Sequence, residues 1–362
     1  MRARTEWTKV AALAMSGLLT TSLGACAVGT DGDYVLHYTT YSGAESDQSK
    51  TVQRWVEEVE RRTDGGVRFE MHYAQSLVDA DEAARATLDG RADIAQVGSI
   101  YAASDLSMFT VVELPFETDN PEVQMRAIER LYAENEEFRG DFERQGLELL
   151  FPLPLGIALV GLDEPADSVD DLRGRSIRSG GLSSTALLEI GANPVAMTAT
   201  DIYESMTRGV VSGYTSLALG NLSTFGLSRT TPHVVDPGIG AYASSIVVVN
   251  SELVDAMPEE YQRVLREASG SAIDHGLEEM GAAAEQACRD LIETDATFTS
   301  LPDEEVEQWK DAADIADGWV EQYEERGYDA QSVLDDYRRI IAEEEQRSTY
   351  EAELLQCMQE AR

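Results

Sequence analysis

Apolar and polar positions along this chain switch between two periods. Tyr34 to Tyr38 reads as a short strand. After Ser42-Gly43, the residues Val52, Trp55, Val56 and Val59 fall at i, i+3, i+4 and i+7, the spacing of one buried helical face, and Thr63-Asp64-Gly65 stops that helix. Val67, Phe69, Met71 and Tyr73 then alternate with Arg68, Glu70 and His72, the period of a strand covered on one side. A helix from about Asp79 to Asp89 ends at Gly90, and Ala92 to Val97 reads as a buried strand. This βαβαβ order predicts a sheet with helices packed on it.

The second half follows the same logic. Leu149 to Val160 is a continuous apolar stretch, despite Pro152 and Pro154, and is expected to be a strand crossing between lobes. A polar turn at 170–174 delivers the chain into a short strand from Arg175 to Arg178. Helices are expected over Ser184–Ile190 and Asp201–Arg208, and a β-branched strand over Ser245–Val249. From Pro258 a long pattern through Val264, Leu265, Leu277, Met280, Cys288 and Leu291 predicts one or two extended helices. Two more follow, one carrying Trp309, Ala312, Ala316, Trp319 and Tyr323 on one face, the next Val333, Leu334, Tyr337, Ile340 and Ile341. These stripes are read as core, because a helix must bury one face.

Residues 1–25 have the form of a lipoprotein signal peptide. Arg2, Arg4 and Lys9 precede an apolar run from Val10 to Leu19, and Leu23-Gly24-Ala25 leads to Cys26. A plain secretory signal needs small residues before the cut, whereas a thiol directly after it provides the sulfur for a lipid. The run is too short to span a membrane, which takes about 20 apolar residues. The mature protein is therefore expected outside the cytoplasm, anchored through Cys26.

Charge narrows the partners. Removing Arg2, Arg4, Lys9 and Glu6, a net +2, takes the formal charge from −39 to −41. Such a surface repels nucleic acid, while 43% hydrophobic residues in patterned segments argue for a folded chain with an acidic coat. Beyond Cys26 only Cys288 and Cys357 remain; they show no metal-ligand spacing, and outside the cytoplasm they are candidates for one disulfide. Enzyme signatures are absent: there is no Gly-x-Ser-x-Gly, no phosphate loop, and His37, His72, His233 and His275 lack metal-ligand spacing. No cofactor or metal is expected.

An ordered series of motifs resembles the solute receptors of TRAP (tripartite ATP-independent periplasmic) transporters, the DctP-like family. The series runs through Tyr73-Ala74-Gln75-Ser76-Leu77, Leu88-Asp89-Gly90-Arg91-Ala92-Asp93-Ile94 and Leu114-Pro115-Phe116. It continues with Asp171-Leu172-Arg173-Gly174-Arg175-Ser176-Ile177-Arg178, Gly191-Ala192-Asn193-Pro194, Asp201-Ile202-Tyr203 and Gly209-Val210-Val211-Ser212-Gly213. Together these motifs cover about residues 34 to 270. The chain departs from the pattern at Ser212, where many members have Asp, and along Gly156-Ile157-Ala158-Leu159, where many have an Arg.

The resemblance implies an α/β, two-lobed periplasmic-binding-protein-like fold with a hinge and long connecting helices. Its expected divisions are a tether at 26–33, lobe I from 34 to 154, lobe II from 155 to 243, a return to lobe I over 244–285, and C-terminal helices from 286 to 362 packing on lobe II and the hinge. It implies a receptor, not an enzyme, that takes a small organic acid and works with the small and large membrane permease subunits. Arg178 falls at the family's carboxylate-binding position, and a guanidinium fork matches both oxygens of a carboxylate. Tyr41, Gln96, Ser99, Tyr214 and Ser216 are carried over as further ligand-binding candidates. Left open are an amine or neutral solute, an ABC-type receptor and, from another class, a secreted hydrolase.

Overall fold

The computed structural model describes residues 34–361; the expected signal peptide, Cys26 and the tether lie outside the described residues. In chain order the strands are β1 (Tyr34–Thr39), β2 (Val67–His72), β3 (Ile94–Gly98), β4 (Leu147–Leu153), β5 (Leu159–Leu162) and β6 (Ser176–Ser179). They continue with β7 (Asn193–Ala196), β8 (Gly213–Leu217), β9 (His233–Asp236), β10 (Ser245–Asn250) and β11 (Thr297–Ser300). They form a five-stranded sheet ordered β2-β1-β3-β10-β4 and a six-stranded sheet ordered β11-β9-β5-β8-β6-β7. The alternating pattern at the start yields parallel pairing of β1 with both β2 and β3, as a βαβαβ unit requires. The antiparallel β10 then joins that sheet from far along the chain. This is a two-lobed α/β fold.

The chain passes between the sheets three times. Residues 154–158 lead out from β4 to β5, 237–244 lead back from β9 to β10, and the helix Ala272–Glu293 makes the third passage. That helix packs on Asp47–Arg62 beside the first sheet and on Leu219–Thr224 beside the second, then feeds β11. The apolar run Leu149–Val160, expected as one strand, is two. Pro154 offers no N–H, and Gly156 adopts φ +98°, where an added Cβ would meet the Ala218 Cβ at 2.9 Å. Pro152 is tolerated because β4 is an edge strand. The first two passages are tied together where Ala158 N–H donates to the Gly240 carbonyl at 3.0 Å.

Two expectations about the later helices change. The stripe from Trp309 to Tyr323 is divided into Asp303–Ala313 and Ile315–Glu324 by Asp314, whose φ and ψ of 42° are left-handed, a conformation Asp tolerates better than most residues. The helix Ala330–Glu345 lies on Pro121–Glu134 beside the first sheet rather than on the second lobe. The reason is its stripe: Val333, Leu334, Tyr337, Ile340 and Ile341 are all buried in the cluster that holds Val123, Ile128 and Leu131. Asp303–Ala313 and, less extensively, Ile315–Glu324 pack on Leu182–Glu189 of the second lobe, and Leu354, Cys357 and Met358 of Glu353–Glu360 are buried in that lobe's apolar cluster. Cys288 of the long helix is bonded to Cys357 of Glu353–Glu360, with Cα atoms 5.7 Å apart. Among the described residues no helix is long and apolar enough to cross a membrane.

Candidate functional site

Strands β1 and β3 of one sheet and β6 and β8 of the other run parallel within their sheets, and their carboxyl ends converge, the usual place for ligands in open α/β sheets. A small cavity of about 30 Å³ lies there. The first lobe contributes Tyr41, Ser42, Asp47, Gln48, Gly98, Ile100 and Tyr101. The second contributes Arg178, Ala199, Ser216, Leu217, Asn221 and Phe225, and the passages between lobes add Leu155, Ala243 and Ser244.

Arg178, in the middle of β6, is fully buried at 0% exposure. Its Nε and Nη2 donate to the Met197 carbonyl at 3.1 and 3.0 Å, and Nη1 donates to the Thr215 carbonyl at 3.1 Å. Nη2 also reaches the Tyr101 hydroxyl at 3.5 Å. Among the described residues no carboxylate forms a salt bridge with it. Desolvation lowers its pKa from the ordinary value, yet a guanidinium stays charged in proteins. The fork is thus held rigid by carbonyls, and its charge is left without a counterion.

Opposite chemistry stands in the same wall. Asp47 is the first residue of the helix Asp47–Arg62, whose N-cap Ser46 accepts from Ser49 N–H at 3.1 Å. The Asp47 side chain is 4% exposed, its Oδ2 has no hydrogen-bond partner, and burial pushes its pKa up to about 6. Tyr41 bonds Ser245 through its hydroxyl at 2.6 Å, and its ring meets Tyr101 edge-on with centroids 5.5 Å apart.

The lobes touch around this cavity. The Tyr101 hydroxyl accepts from Ala199 N–H at 3.3 Å, and Gln75 Nε2 donates to Thr200 Oγ1 at 3.4 Å. Beyond Ile100 and Tyr101 lies a wider groove of about 580 Å³ lined by Gln75, Asp79, Asp81 and Asp201, so these two side chains form the partition between cavity and groove. Deeper in the junction, Glu113 Oε2 accepts from Leu182 N–H at 3.1 Å while Oε1 has no partner, and burial pushes this carboxyl up to about 7. The Tyr242 hydroxyl donates to the Gly180 carbonyl at 2.7 Å and accepts from Ser183 N–H at 2.8 Å.

Of the residues singled out from sequence, Arg178, Tyr41 and Ser216 line the cavity. Gln96 and Ser99 stand one layer behind. Gln96 bonds Thr40 and Gln48, and Ser99 Oγ accepts from Ser244 N–H at 3.3 Å, so each positions a residue that does line the wall. Tyr214 is not brought to the cavity; its hydroxyl bonds Thr231 at 2.6 Å inside the apolar cluster of the second lobe. Ser216 explains the difference, because its φ of +61° breaks the alternation that would set residues 214 and 216 on one face. Sequence reasoning missed Asp47, Tyr101 and Glu113: acids are too common here to signal anything, and Tyr101 lies in a segment without periodicity. It also missed that pairing of β1 with β2 sets His37 beside Glu70 and brings His37 Nδ1 within 3.1 Å of His72 Nε2. That cluster does not line the cavity.

Two lobes, hinge passages and a cavity lined by a buried guanidinium without a counterion are the arrangement of a solute-binding receptor. The chain belongs to the family described as bacterial extracellular solute-binding protein, family 7, which it matches over residues 38–324. The ectoine-binding periplasmic protein TeaA of Halomonas elongata is 25% identical over 211 residues, 56% of this chain and 60% of that relative. A solved structure of the Halomonas elongata ectoine-binding protein has a TM-score of 0.76 at 20% identity, covering 85% of this chain and 99% of that one. A marine-metagenome TRAP solute-binding protein specific for aromatic acid ligands has a TM-score of 0.77 at 20% identity, covering 86% and 99%. The chain is accordingly a TRAP-type solute-binding protein and not an enzyme; its family is extracytoplasmic and binds small molecules.

Proposed function

We propose that this protein is a lipid-anchored receptor that binds a small organic acid, seats the carboxylate on Arg178 and delivers it to the membrane permease subunits of a TRAP transporter. One observation carries the reading: a fully buried guanidinium lines the cavity between the lobes with no anion of its own among the described residues. Burying an unpaired charge costs several kcal/mol, and an incoming carboxylate offsets that cost with paired, charge-assisted hydrogen bonds. Similar proteins bind ectoine and aromatic acids, and both kinds of ligand carry a carboxylate. Binding bridges the lobes through Arg178 on one side and Tyr41 on the other, and its differential affinity for the closed arrangement sets the form offered to the permease.

The test is calorimetry and thermal shift with the mature protein against small carboxylates and their neutral amides. Carboxylates should raise Tm with concentration as mass action requires, and the amides should not. Equal response to acid and amide would sink the carboxylate reading. Anchoring is tested separately by Cys26→Ser, which should release the protein from membranes or block its maturation; normal processing with full membrane retention would overturn it.

A further inference from the structure

We infer that the solute seated on Arg178 also carries a protonated nitrogen, received by Asp47, so that the cavity is built for a small zwitterion. This inference rests on the carboxylate reading and adds the second pole. Both charged side chains line the same cavity, both are at least nine-tenths buried, and neither forms a salt bridge among the described residues. The geometry at Asp47 is the less expected of the two. A carboxylate in the first turn of a helix ordinarily gains from the backbone N–H groups ahead of it and needs no ligand. Backbone N–H groups of Asp47 and Gln48 do act on this carboxylate, yet Oδ2 is buried without a hydrogen-bond partner and, unlike that of Glu113, the carboxylate lines the cavity, where a ligand can supply the missing donor.

The surroundings of Asp47 sharpen the polarity. Glu279 on the long helix and Glu353 on the helix Glu353–Glu360 both act on it as like charges. The cation beside it, Lys50, is 43% exposed and 3.9 Å from Glu45. Arg178 lines the same cavity, with tyrosine hydroxyls and carbonyls around it. The wall therefore carries one negative and one positive group, and a monoanion satisfies only one of them. A plain monocarboxylate would leave Asp47 without its missing donor, and in a closed cavity that costs more than in water. Tyr41, close enough to feel Asp47 and to act on Arg178, and the Tyr101 ring against it offer the apolar flank against which a small ring would lie.

A matched panel tests this: cyclohexanecarboxylate, its ring-hydroxylated derivatives, and the three piperidine carboxylates, which replace one ring CH₂ by NH₂⁺ at different distances from the acid. With wild-type protein, one piperidine isomer should bind at least about tenfold tighter than cyclohexanecarboxylate, about 1.4 kcal/mol. Asp47→Asn, which keeps size and helix-start character, should reduce that preference to roughly threefold or less, while Arg178→Ala weakens every member. The wild-type comparison stands even if a variant folds poorly. Cyclohexanecarboxylate or a hydroxy derivative binding as tightly as every piperidine acid overturns the zwitterion and leaves the carboxylate reading intact. A preference that survives Asp47→Asn in a folded variant overturns the role of Asp47. Binding of the panel unaffected by Arg178→Ala overturns the carboxylate reading, and the inference falls with it.

Discussion

Arg178 and Glu113 are both buried ionisable side chains without an opposite charge, and they lie close enough that Tyr242 feels both. Glu113 faces the junction between lobes, lines no cavity described above, and has a chemical escape: it takes up a proton, its carboxyl being pushed up to about 7. Arg178 has none, because a guanidinium cannot shed its proton at any ordinary pH. A buried acid can thus be resolved within the chain, whereas a buried arginine beside an empty volume must be resolved by something that enters. Acids are abundant elsewhere in this protein. Arg130, for example, is met by Glu134, Glu343 and Glu344 at 2.7–2.8 Å. Arg178 is left without such a partner at the place where an acid from outside would sit.

The largest expected effect separates the two residues by affinity. Arg178→Ala should weaken carboxylate binding by about 2–5 kcal/mol, roughly thirtyfold to several thousandfold, as for breaking a buried charged pair. Arg178→Lys should recover little, since an ammonium lacks the fork. Wild-type affinity by calorimetry in Arg178→Ala would break the comparison.

Glu113 should instead report through pH. Its folded pKa of about 7 lies above the ordinary 4.5, so the folded state holds the extra proton between those values. Stability from this group is therefore fully present below about pH 4.5 and lost as pH rises through about 7. Glu113→Gln should stabilise the protein at pH 8 by up to about 3 kcal/mol and leave it unchanged near pH 4.5. Denaturant unfolding at both pH values measures it, and a gain of equal size at both would refute the assignment.

Tyr214→Phe sharpens the contrast between lining and core. Loss of its bond to Thr231 should cost about 0.5–1.5 kcal/mol of stability with no change in ligand affinity. A drop in affinity at constant stability would restore Tyr214 to the site. The smallest effect belongs to the surface: Arg130→Ala should cost less than about 1 kcal/mol, shrink further in high salt, and leave binding untouched.

How much of this was legible beforehand follows from what each element depends on. The opening βαβαβ unit could be read because Val52, Trp55, Val56 and Val59 and the alternation after Val67 carry their own periods. Strands β7, β8, β9 and β11 of the second sheet are four or five residues long, too short for a period to show, and β9 and β11 pair with strands far away in sequence. Asp314 divided an apolar stripe that looked continuous because a left-handed Asp leaves no trace in hydrophobicity. In the site, Arg178 was reached through resemblance to a family motif. Ser216 and Tyr214 were offered together, and a positive φ at one residue separated them. Asp47 was hidden among 67 acidic residues, and only its burial distinguishes it.

The bond between Cys288 and Cys357 sets an order of events for a protein of an extracytoplasmic family. Cys357 lies 69 residues after its partner, beyond every strand of both sheets. In a chain that emerges from its N-terminus, the clasp on the long helix therefore cannot close until the segments that build both lobes have already emerged. Oxidation seals a finished receptor instead of guiding an unfinished one, and a chain stalled midway would emerge with Cys288 still available to any passing thiol.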